Sequence, residues 1–481
     1  MLYMHWCTSI SKFVKRRSQG CYNGGYYNPL DGRIYLPPTN AARAASFDPA
    51  TETWETFGDT FPVTTGAQDD KWGMHAVSSF DKCLYAFPFT GNKIHRMLKV
   101  DPVNRTAQEI GEDMRPFIGS DKMAAIYSAV AGADGCIYAM PTQINSVLRF
   151  DPRTNKITKF GKIKDMLKER LRLGLYPPKF FTEMKGGRES SYQVGVLDAS
   201  GRYIYCPPSM ASRVLCIDTQ KLTVELIGDD FGICEGNNWY DSLKFLTAAL
   251  AVDNCIYAIP WSSQITRVMR IDPMNKTASF FGPNLDSVGM GQYYGACTGP
   301  DGCVYATPHY AKHVLQVDPF AGTVSKVGEA HPPELSMKLG PCVLDRDGAI
   351  WHLPLHGPAP MVRQAPRQPQ TPFLARLAQP QHHIVLREGL RDLRCYGPAL
   401  AVALWREAVR IGGDSALVSS LLEAAATALP DVVMASIKKD SGSTAYRLLQ
   451  TILAVMPPQV YALFEGLVVL CRGSESVTSV R

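Results

Sequence analysis

The sequence predicts an all-β propeller of seven four-stranded antiparallel blades, closed by strands from the N- and C-terminal ends and followed by a small all-α C-terminal region. Three observations predict it. One eight-residue motif occurs seven times. Most copies are spaced near the ~40–50 residues that a four-stranded propeller blade takes. After the last copy the repeat gives way to a Pro-rich stretch and then an Ala- and Leu-rich stretch. A six-bladed ring with a frayed remnant is the alternative.

The repeated motif reads Asp-Gly-x-(Ile/Leu/Val)-Tyr-x-x-Pro, and residues 134–141 are a clear copy. Its Asp-Gly pair suits a tight hairpin turn, because both residues tolerate positive φ. The apolar residues after the turn predict the second strand of a blade. The aromatic anchors of the copies are Tyr35, Tyr85, Tyr138, Tyr205, Tyr257, Tyr305 and Trp351.

The segments around each motif predict the other strands. Small residues precede it, which suits a first strand near the axis, where neighbouring blades crowd together. An apolar alternation ending in Asp-Pro, as in residues 147–152, predicts a third strand and a type I turn. A segment ending in Gly, as in residues 157–161, predicts the fourth. One position of the second strand holds a cysteine in four copies of the repeat: Cys83, Cys136, Cys255 and Cys303. We expect these cysteines to be small buried hydrophobic residues rather than redox or metal-binding groups.

The closing blade is predicted from the two ends of the repeat region. Residues 337–354 supply its first and second strands, and the Pro-rich stretch after them is expected to supply neither of the others. Residues 8–14 resemble a fourth strand. We therefore expect residues 2–15 to complete this blade, which leaves no open sheet edge.

The chain is predicted to divide into four parts. Residues 1–356 form the propeller, and residues 357–380 form a Pro/Gln-rich linker. Residues 381–473 carry apolar positions at helical spacing, which predicts a helical bundle or the stub of a helical solenoid. Residues 474–481 are expected to be a disordered tail. Residues 162–172 predict a helix inserted between two blades.

The composition excludes several classes of protein. A hydrophobic share of 46% and a charged share of 20% are those of a soluble globular protein. A net charge of +6 is mild for 481 residues, so we expect no nucleic-acid partner. No apolar run predicts a membrane span. Thirteen cysteines without CxxC spacing indicate a reducing compartment and no zinc site. We expect a cytoplasmic protein without a cofactor; an organellar transit peptide is the alternative.

The units resemble repeats of the NHL and YVTN-like β-propeller superfamily. The resemblance covers roughly residues 1–355 and rests on the Asp-Gly-x-Ile-Tyr-x-x-Pro, Ile-Asp-Pro and Phe-Gly segments. It implies the propeller architecture. It does not imply one activity, because such propellers include binding platforms, lactonases and lyases.

The candidate binding residues lie near the starts of the first strands. Four lysines there would form a ring of positive charge suited to an anionic ligand if they share one mouth of the channel, and solvated rim lysines are the alternative. Nearby aromatic residues would add surface for a ligand. The full set is Lys71, Trp72, His75, Lys122, Tyr127, Lys244, Tyr294 and Lys338.

We favour a non-catalytic binding or scaffold protein that presents one face or its central channel to a protein or a small anionic ligand. The helical tail would mediate oligomerisation or partner binding. The alternative is a propeller lyase or hydrolase that acts on an anionic small molecule in the channel, with His75 as the base. That alternative requires a second polar group within reach of His75. A third hypothesis makes the helical tail the functional part.

Overall fold

Seven four-stranded antiparallel sheets make up the described part of the chain in the computed structural model. The chain divides into two units, Met1–Gln368 and Pro369–Arg481, and every described residue lies in the first. The predicted seven-bladed all-β propeller is confirmed, and the predicted helical region lies outside the described residues. The described residues are 4–9, 21–28, 31–63, 70–89, 94–118, 126–163, 191–232, 234, 242–251, 253–262, 264–285, 291–299, 302–319, 321–331, 339–345, 349–355 and 360–364.

Each blade is an antiparallel meander, and blades 1 to 6 follow one another along the chain. Strand β1 spans Met4–Ser9 and belongs to blade 7. Blade 1 contains β2 (Tyr26–Asn28), β3 (Arg33–Leu36), β4 (Ala44–Asp48) and β5 (Thr53–Phe57). Blade 2 contains β6 (Ala76–Val77), β7 (Leu84–Ala86), β8 (Met97–Asp101) and β9 (Thr106–Ile110), followed by the short helix α1 (Arg115–Ile118). Blade 3 contains β10 (Ala129–Ala131), β11 (Ile137–Ala139), β12 (Val147–Asp151) and β13 (Lys156–Phe160).

The remaining blades repeat the same order. Blade 4 contains β14 (Val196–Leu197), β15 (Tyr203–Cys206), β16 (Val214–Asp218) and β17 (Thr223–Ile227). Blade 5 contains β18 (Phe245–Leu250), β19 (Ile256–Pro260), β20 (Val268–Asp272) and β21 (Thr277–Phe281). Blade 6 contains β22 (Tyr293–Thr298), β23 (Val304–Pro308), β24 (Val314–Asp318) and β25 (Thr323–Val327). Blade 7 contains β26 (Leu339–Leu344), β27 (Ile350–Pro354), β28 (Pro360–Gln364) and β1.

A hydrogen bond inside the repeated motif explains its residues. In blade 2, the Tyr85 hydroxyl donates to Asp81 Oδ2 at 2.7 Å, and Asp81 Oδ1 accepts the backbone N–H of Cys83 at 3.2 Å. The Asp therefore closes its own turn and satisfies the buried phenol. The same side-chain pair occurs as Tyr35 with Asp31, Tyr138 with Asp134 and Tyr257 with Asp253. In blade 7 the Trp351 indole donates instead to Asp345, which precedes the motif by two residues.

The same aromatic residues join neighbouring blades. The Tyr35 hydroxyl of blade 1 lies 3.2 Å from the carbonyl oxygen of Pro102 in blade 2. The Tyr205 hydroxyl of blade 4 lies 3.2 Å from the carbonyl oxygen of Pro273 in blade 5. Each proline belongs to an Asp-Pro turn, so the two repeated motifs stabilise each other across the blade boundaries.

The innermost strands are crowded, as their small residues predict. A Cβ atom added to Gly25 in blade 1 would lie 2.7 Å from Leu353 Cδ1 in blade 7. A Cβ atom added to Gly195 in blade 4 would lie 2.4 Å from Met140 Sδ in blade 3. Real side chains do not approach so closely, so a larger residue at either position would force the side chain of the neighbouring blade to move.

Blade 7 closes the ring differently from the prediction. Strand β28 is its third strand and β1 its fourth, with Met4 opposite Gln364 and Trp6 opposite Val362. Closure by both ends of the chain is confirmed. The prediction that residues 2–15 supply two strands is wrong, and so is the prediction that the chain after residue 354 supplies none. The proline composition hid β28, because Pro360 occupies its first residue, where a proline is tolerated.

Removing the closing strand tests this arrangement. Deletion of residues 1–9 exposes the edge of β28, so we expect a Tm several degrees lower and concentration-dependent association. Calorimetry and light scattering measure both. Truncation after residue 368 leaves all seven sheets intact and is the matched control. Equal Tm values for the two truncated proteins would contradict the role of β1.

The turn carboxylates make stability pH-dependent. Hydrogen bonds from Tyr85, Lys99 and the Cys83 backbone outweigh the effect of burial and lower the pKa of Asp81. A lowered carboxyl pKa stabilises the folded state above the unfolded value of about 3.9, and this contribution is lost as the pH falls through the folded pKa.

The variant Asp81→Asn isolates this contribution. We expect it to cost about 1 kcal/mol at pH 7 and to lose less stability than the wild type on acidification. Urea titrations between pH 7 and pH 3 measure both effects. The exposed Asp59→Asn is the control. Parallel pH profiles for Asp81→Asn and the wild type would argue against this assignment.

Candidate functional site

The entries to the first strands form one end of the ring around its axis, which we call the mouth. Backbone hydrogen bonds define equivalent positions there. The residue after the motif proline donates its N–H to this position within the same blade: Phe89 N–H donates to Lys71 O at 2.9 Å, and His309 N–H donates to Gln292 O at 2.9 Å. Two residues after this position comes one residue per blade that we call the mouth residue. In blade order the mouth residues are Asn23, Gly73, Tyr127, Gln193, Leu246, Tyr294 and Gly340.

A β-bulge in the first strand changes the direction in which the side chain of the mouth residue points. In blade 5, Phe245 pairs with Pro260 and Thr247 with Ile259, so Leu246 has no opposite residue. In blade 6, the register shifts between Tyr293 and Ala296 and leaves out Tyr294. Such bulges turn a side chain out of the sheet's alternation, and at an innermost strand this direction is towards the axis.

Side chains from three separated blades meet across the axis. The hydroxyl of Tyr127, in blade 3, is hydrogen-bonded to the hydroxyl of Tyr294, in blade 6. The Tyr294 hydroxyl in turn donates to Asn23 Oδ1, in blade 1, at 3.2 Å. No two of blades 1, 3 and 6 are neighbours in the ring, so these groups reach each other only across its centre. The structure therefore brings together two of the residues predicted for ligand binding, Tyr127 and Tyr294.

Apolar and aromatic residues surround this hydrogen-bonded group. The Trp261 ring lies 5.7 Å from the Tyr294 ring, and the Phe89 ring lies 5.9 Å from the Tyr127 ring. His309 lies 5.5 Å from the Tyr294 ring, and its Nδ1 is 3.1 Å from the Leu339 carbonyl oxygen. The apolar cluster has contributions from blades 2 to 7: Met74, Phe89, Tyr127, Met210, Leu243, Leu246, Trp261, Tyr294 and Leu355.

Several buried polar atoms at the mouth have no hydrogen-bond partner among the residues that the structure describes. They are both amide atoms of Gln193, Oγ of Ser209, Nε1 of Trp261 and Nε2 of Gln292. All four residues are buried, Gln193 and Ser209 fully so. An unpaired buried polar group costs about 1–3 kcal/mol, and such groups in native proteins call for an explanation. These four lie in consecutive blades, 4 to 6, and a further unpaired buried nitrogen, Nδ1 of His75, lies in blade 2.

Lys71 is buried rather than solvated. Its side chain is only 1% exposed, and Nζ donates to the carbonyl oxygens of Ala41 and Pro62 at 2.8 and 2.9 Å. Burial lowers its pKa to about 8. Trp72 beside it is also buried and donates from Nε1 to the Arg96 carbonyl oxygen at 3.0 Å. Lys71 therefore connects the start of blade 2 to backbone of blade 1, and Trp72 connects it to the residue before the third strand of blade 2.

Lys244 occupies the equivalent position of blade 5 and is fully buried. Its Nζ lies 3.4 Å from the carbonyl oxygen of Met210 in blade 4, and burial lowers its pKa to about 8. Lys122 and Lys338 lie outside the described residues. The two described lysines therefore point at carbonyl groups of the preceding blades and do not form an open ring of charge.

His75 immediately precedes β6, the innermost strand of blade 2, and packs against blade 1. A Cβ atom added to Gly24 would lie 3.0 Å from Cε1 of His75, so the glycine leaves room for the imidazole. Burial lowers the pKa of His75 to about 4, although the backbone of Gly25 acts in the opposite direction. Within the described residues, no polar side chain is hydrogen-bonded to it. The His75 ring is therefore hydrogen-bonded to the backbone of Gly25, and its Nδ1 has no partner among the described residues.

Metal and membrane sites are not found in the part of the chain that the structure describes. No group of three His, Cys, Asp or Glu side chains there is arranged to hold a metal ion. No described helix has the length and apolar character that a membrane span requires.

The fold defines the class of this protein: it is a seven-bladed β-propeller, as the sequence motifs predicted. No protein-family model and no curated protein matches the chain. The likeness to solved structures below is a likeness of fold alone.

The chain is similar to a streptogramin B lyase, with 12% identity and a TM-score of 0.51, over 76% of this chain and 97% of that one. It is also similar to a catalytically inactive virginiamycin B lyase from Staphylococcus aureus with quinupristin, with 9% identity and a TM-score of 0.52. That match covers 76% of this chain and all of the other, 100%.

The sequence interpretation missed Asn23, Gln193, Ser209 and Gln292. A signal was present, because Gln193 stands at the same position of its blade as Tyr127 and Tyr294. The turn between the first and second strands is one residue longer in blade 4, where Val196 pairs with Tyr205, than in blade 3, where Val130 pairs with Tyr138. Counting back from the motif without this difference does not show the equivalence.

Two buried serines of blade 4 test whether the unpaired atoms are real. Ser209 Oγ has no partner, whereas Ser212 Oγ donates to Asp230 Oδ2 at 2.9 Å, and both side chains are fully buried. We expect Ser209→Ala to leave the free energy of unfolding unchanged or raise it, and Ser212→Ala to lower it by about 1 kcal/mol. Denaturant titration of the ligand-free protein measures both. Equal losses would show that Ser209 is satisfied in solution.

Proposed function

We propose that this protein is a non-catalytic binding propeller, and that a small ligand docks at the mouth against blades 4 to 6. The observation that carries the proposal is the fully buried amide of Gln193, which has neither its donor nor its acceptor satisfied. Trp261 and Gln292 offer further unpaired donors on the same side of the axis. A bound molecule with matching groups would offset the free-energy cost of leaving these atoms unpaired.

The chemistry of the mouth favours an uncharged, hydrogen-bonding ligand with a flat apolar part. Gln193 offers one donor group and one acceptor, Trp261 and Gln292 offer donors, and the rings of Trp261, Tyr294 and His309 form an aromatic wall. The two described lysines give no support to the anionic ligand that the sequence suggested, since Nζ of each faces backbone carbonyl groups. A protein partner on this face is the broader form of the same proposal.

A lyase is the second candidate, and the fold of the two lyases is the observation that favours it. In this chain His75 would be the base. Against it, the Gly25 backbone is the hydrogen-bond partner of the His75 ring, and the described residues include no second polar side chain bonded to His75 that would act with it on a substrate. Incubation with quinupristin, the molecule named with one of those lyases, separates the candidates: a product that forms with the wild type and not with His75→Ala favours the lyase.

The variant Gln193→Leu tests the binding proposal. Leucine keeps much of the side-chain volume and removes both unpaired atoms, so we expect the ligand-free variant to be as stable as the wild type or more so. A panel of nucleosides, sugars and cyclic peptides is screened by thermal shift and by native mass spectrometry. Compounds that raise the Tm of the wild type should lose about tenfold or more in affinity for the variant, equivalent to at least ~1.4 kcal/mol.

Gln143→Leu is the control, because Gln143 is also buried but lies in the loop between β11 and β12 of blade 3 and is not a mouth residue. A compound that stabilises the wild type and Gln193→Leu equally would place its site elsewhere. If no compound of the panel binds, and the variant is also less stable than the wild type, the unpaired amide is not a binding group and the proposal fails.

A further inference from the structure

Two cysteines differ from all the others whose burial the structure describes. Cys297 and Cys342 are half-buried thiols, whereas the rest are buried: Cys21, Cys83, Cys136, Cys206, Cys216, Cys234, Cys255 and Cys303. Both lie on innermost strands, Cys297 on β22 of blade 6 and Cys342 on β26 of blade 7. They are therefore neighbours in the ring although they are far apart in the sequence.

The strand register places the two thiols on facing sides of one blade boundary. Ala296 pairs with Ala306 and packs in the cluster between blades 5 and 6, so Cys297, the next residue, faces blade 7. Cys342 pairs with His352 and packs in the same cluster as Cys297, between blades 6 and 7. We call this boundary the 6–7 seam.

The backbones of the two strands are in contact beside the cysteines. A Cβ atom added to Gly295 would lie 2.5 Å from Cα of Pro341, and 3.1 Å from the carbonyl oxygen of Gly340. These residues immediately precede Ala296 and Cys342 in their strands. A disulfide needs two Cα atoms within about 4.4–6.8 Å of each other, and strands in contact at this point can meet that requirement.

The surroundings of Cys342 favour its thiolate. A hydrogen bond from the Cys297 thiol, assisted by the Thr307 hydroxyl, lowers the pKa of Cys342. By contrast, burial raises the pKa of Cys83 and Cys136 to about 12. His352 is the titratable side chain next to Thr307, with Nδ1 2.9 Å from Thr307 Oγ1, and burial lowers its pKa to about 4, so it is neutral. The thiolate is the reactive form of cysteine.

We propose that Cys297 and Cys342 are an oxidisable pair that a hydroperoxide converts to a disulfide across the 6–7 seam. The Cys342 sulfur attacks the terminal peroxide oxygen, the O–O bond breaks, and the leaving oxygen takes a proton to become water or an alcohol. Cys342 is then a sulfenic acid. The Cys297 sulfur attacks the Cys342 sulfur, the S–O bond breaks, and the oxygen leaves as water with the Cys297 proton. Two thiols are oxidised and one hydroperoxide is reduced.

Peptide mapping of the full chain tests this proposal. The reduced protein is treated with an equimolar amount of hydrogen peroxide, free thiols are alkylated, and a digest without reductant is analysed by mass spectrometry. We expect one linked pair of peptides that contains Cys297 and Cys342, and we expect dithiothreitol to abolish it. Calorimetry should give a Tm several degrees higher for the oxidised protein than for the reduced one, because a cross-link restricts the unfolded chain.

Three variants complete the experiment. Cys303→Ala is the matched control, because Cys303 is buried in the same cluster, and the linked peptides should persist in it. Cys297→Ala and Cys342→Ala should each abolish both the linked pair and the rise in Tm. If a variant does not fold, peptide mapping of the wild type decides the question alone. Cys342 recovered as a sulfinic acid beside alkylated Cys297, either thiol linked to a third cysteine, or no oxidation at all would overturn the proposal.

Discussion

The pairing of β1 with β28 is the interaction on which the rest of the structure depends. Every sheet of a propeller buries its two faces against its two neighbours. Blades 1 and 7 therefore have both faces buried only when they pack against each other. Met4 opposite Gln364 and Trp6 opposite Val362 join the two ends of the repeat region within one sheet. The packing of blade 1 on blade 7, where the Phe47 and Trp351 rings lie 5.5 Å apart, follows from this closure.

The residues that repeat in this chain serve the fold. The turn Asp and the second-strand Tyr satisfy each other, as Asp81 and Tyr85 do, and several of the tyrosines also reach the Asp-Pro turn of the next blade. A binding function is therefore expected where the copies differ. The mouth residues differ most, since one structural position holds Asn, Gly, Tyr, Gln, Leu, Tyr and Gly. A ring of equivalent positions with unlike side chains can form an asymmetric site on a regular scaffold.

Features that arise from residue types at fixed spacing can be predicted from the sequence. Features that depend on the register of paired strands cannot. The seven blades, the small innermost residues and the buried second-strand cysteines all follow from residue types at fixed spacing. The sequence does not indicate strand β28, because the prolines of this stretch are typical of an extended linker. The burial of Lys71 is hidden too, because lysine is usually exposed and only the loop carbonyls of blade 1 explain its position. The facing thiols of Cys297 and Cys342 depend on the alternation of two strands after their bulges, which one sequence does not reveal.

The mouth and the 6–7 seam share the same two strands, and this connects the two proposals. Tyr294 and Cys297 both belong to β22, while Gly340 and Cys342 both belong to β26. The bulges that turn Tyr294 towards the axis and bring Gly295 against Pro341 are the same irregularities that set the register of the cysteines. Because protein interiors are closely packed, a bond that draws these strands together acts directly on the backbone that positions Tyr294. Any change at the seam is therefore expected to affect the side of the mouth where the aromatic wall and the unpaired amides lie.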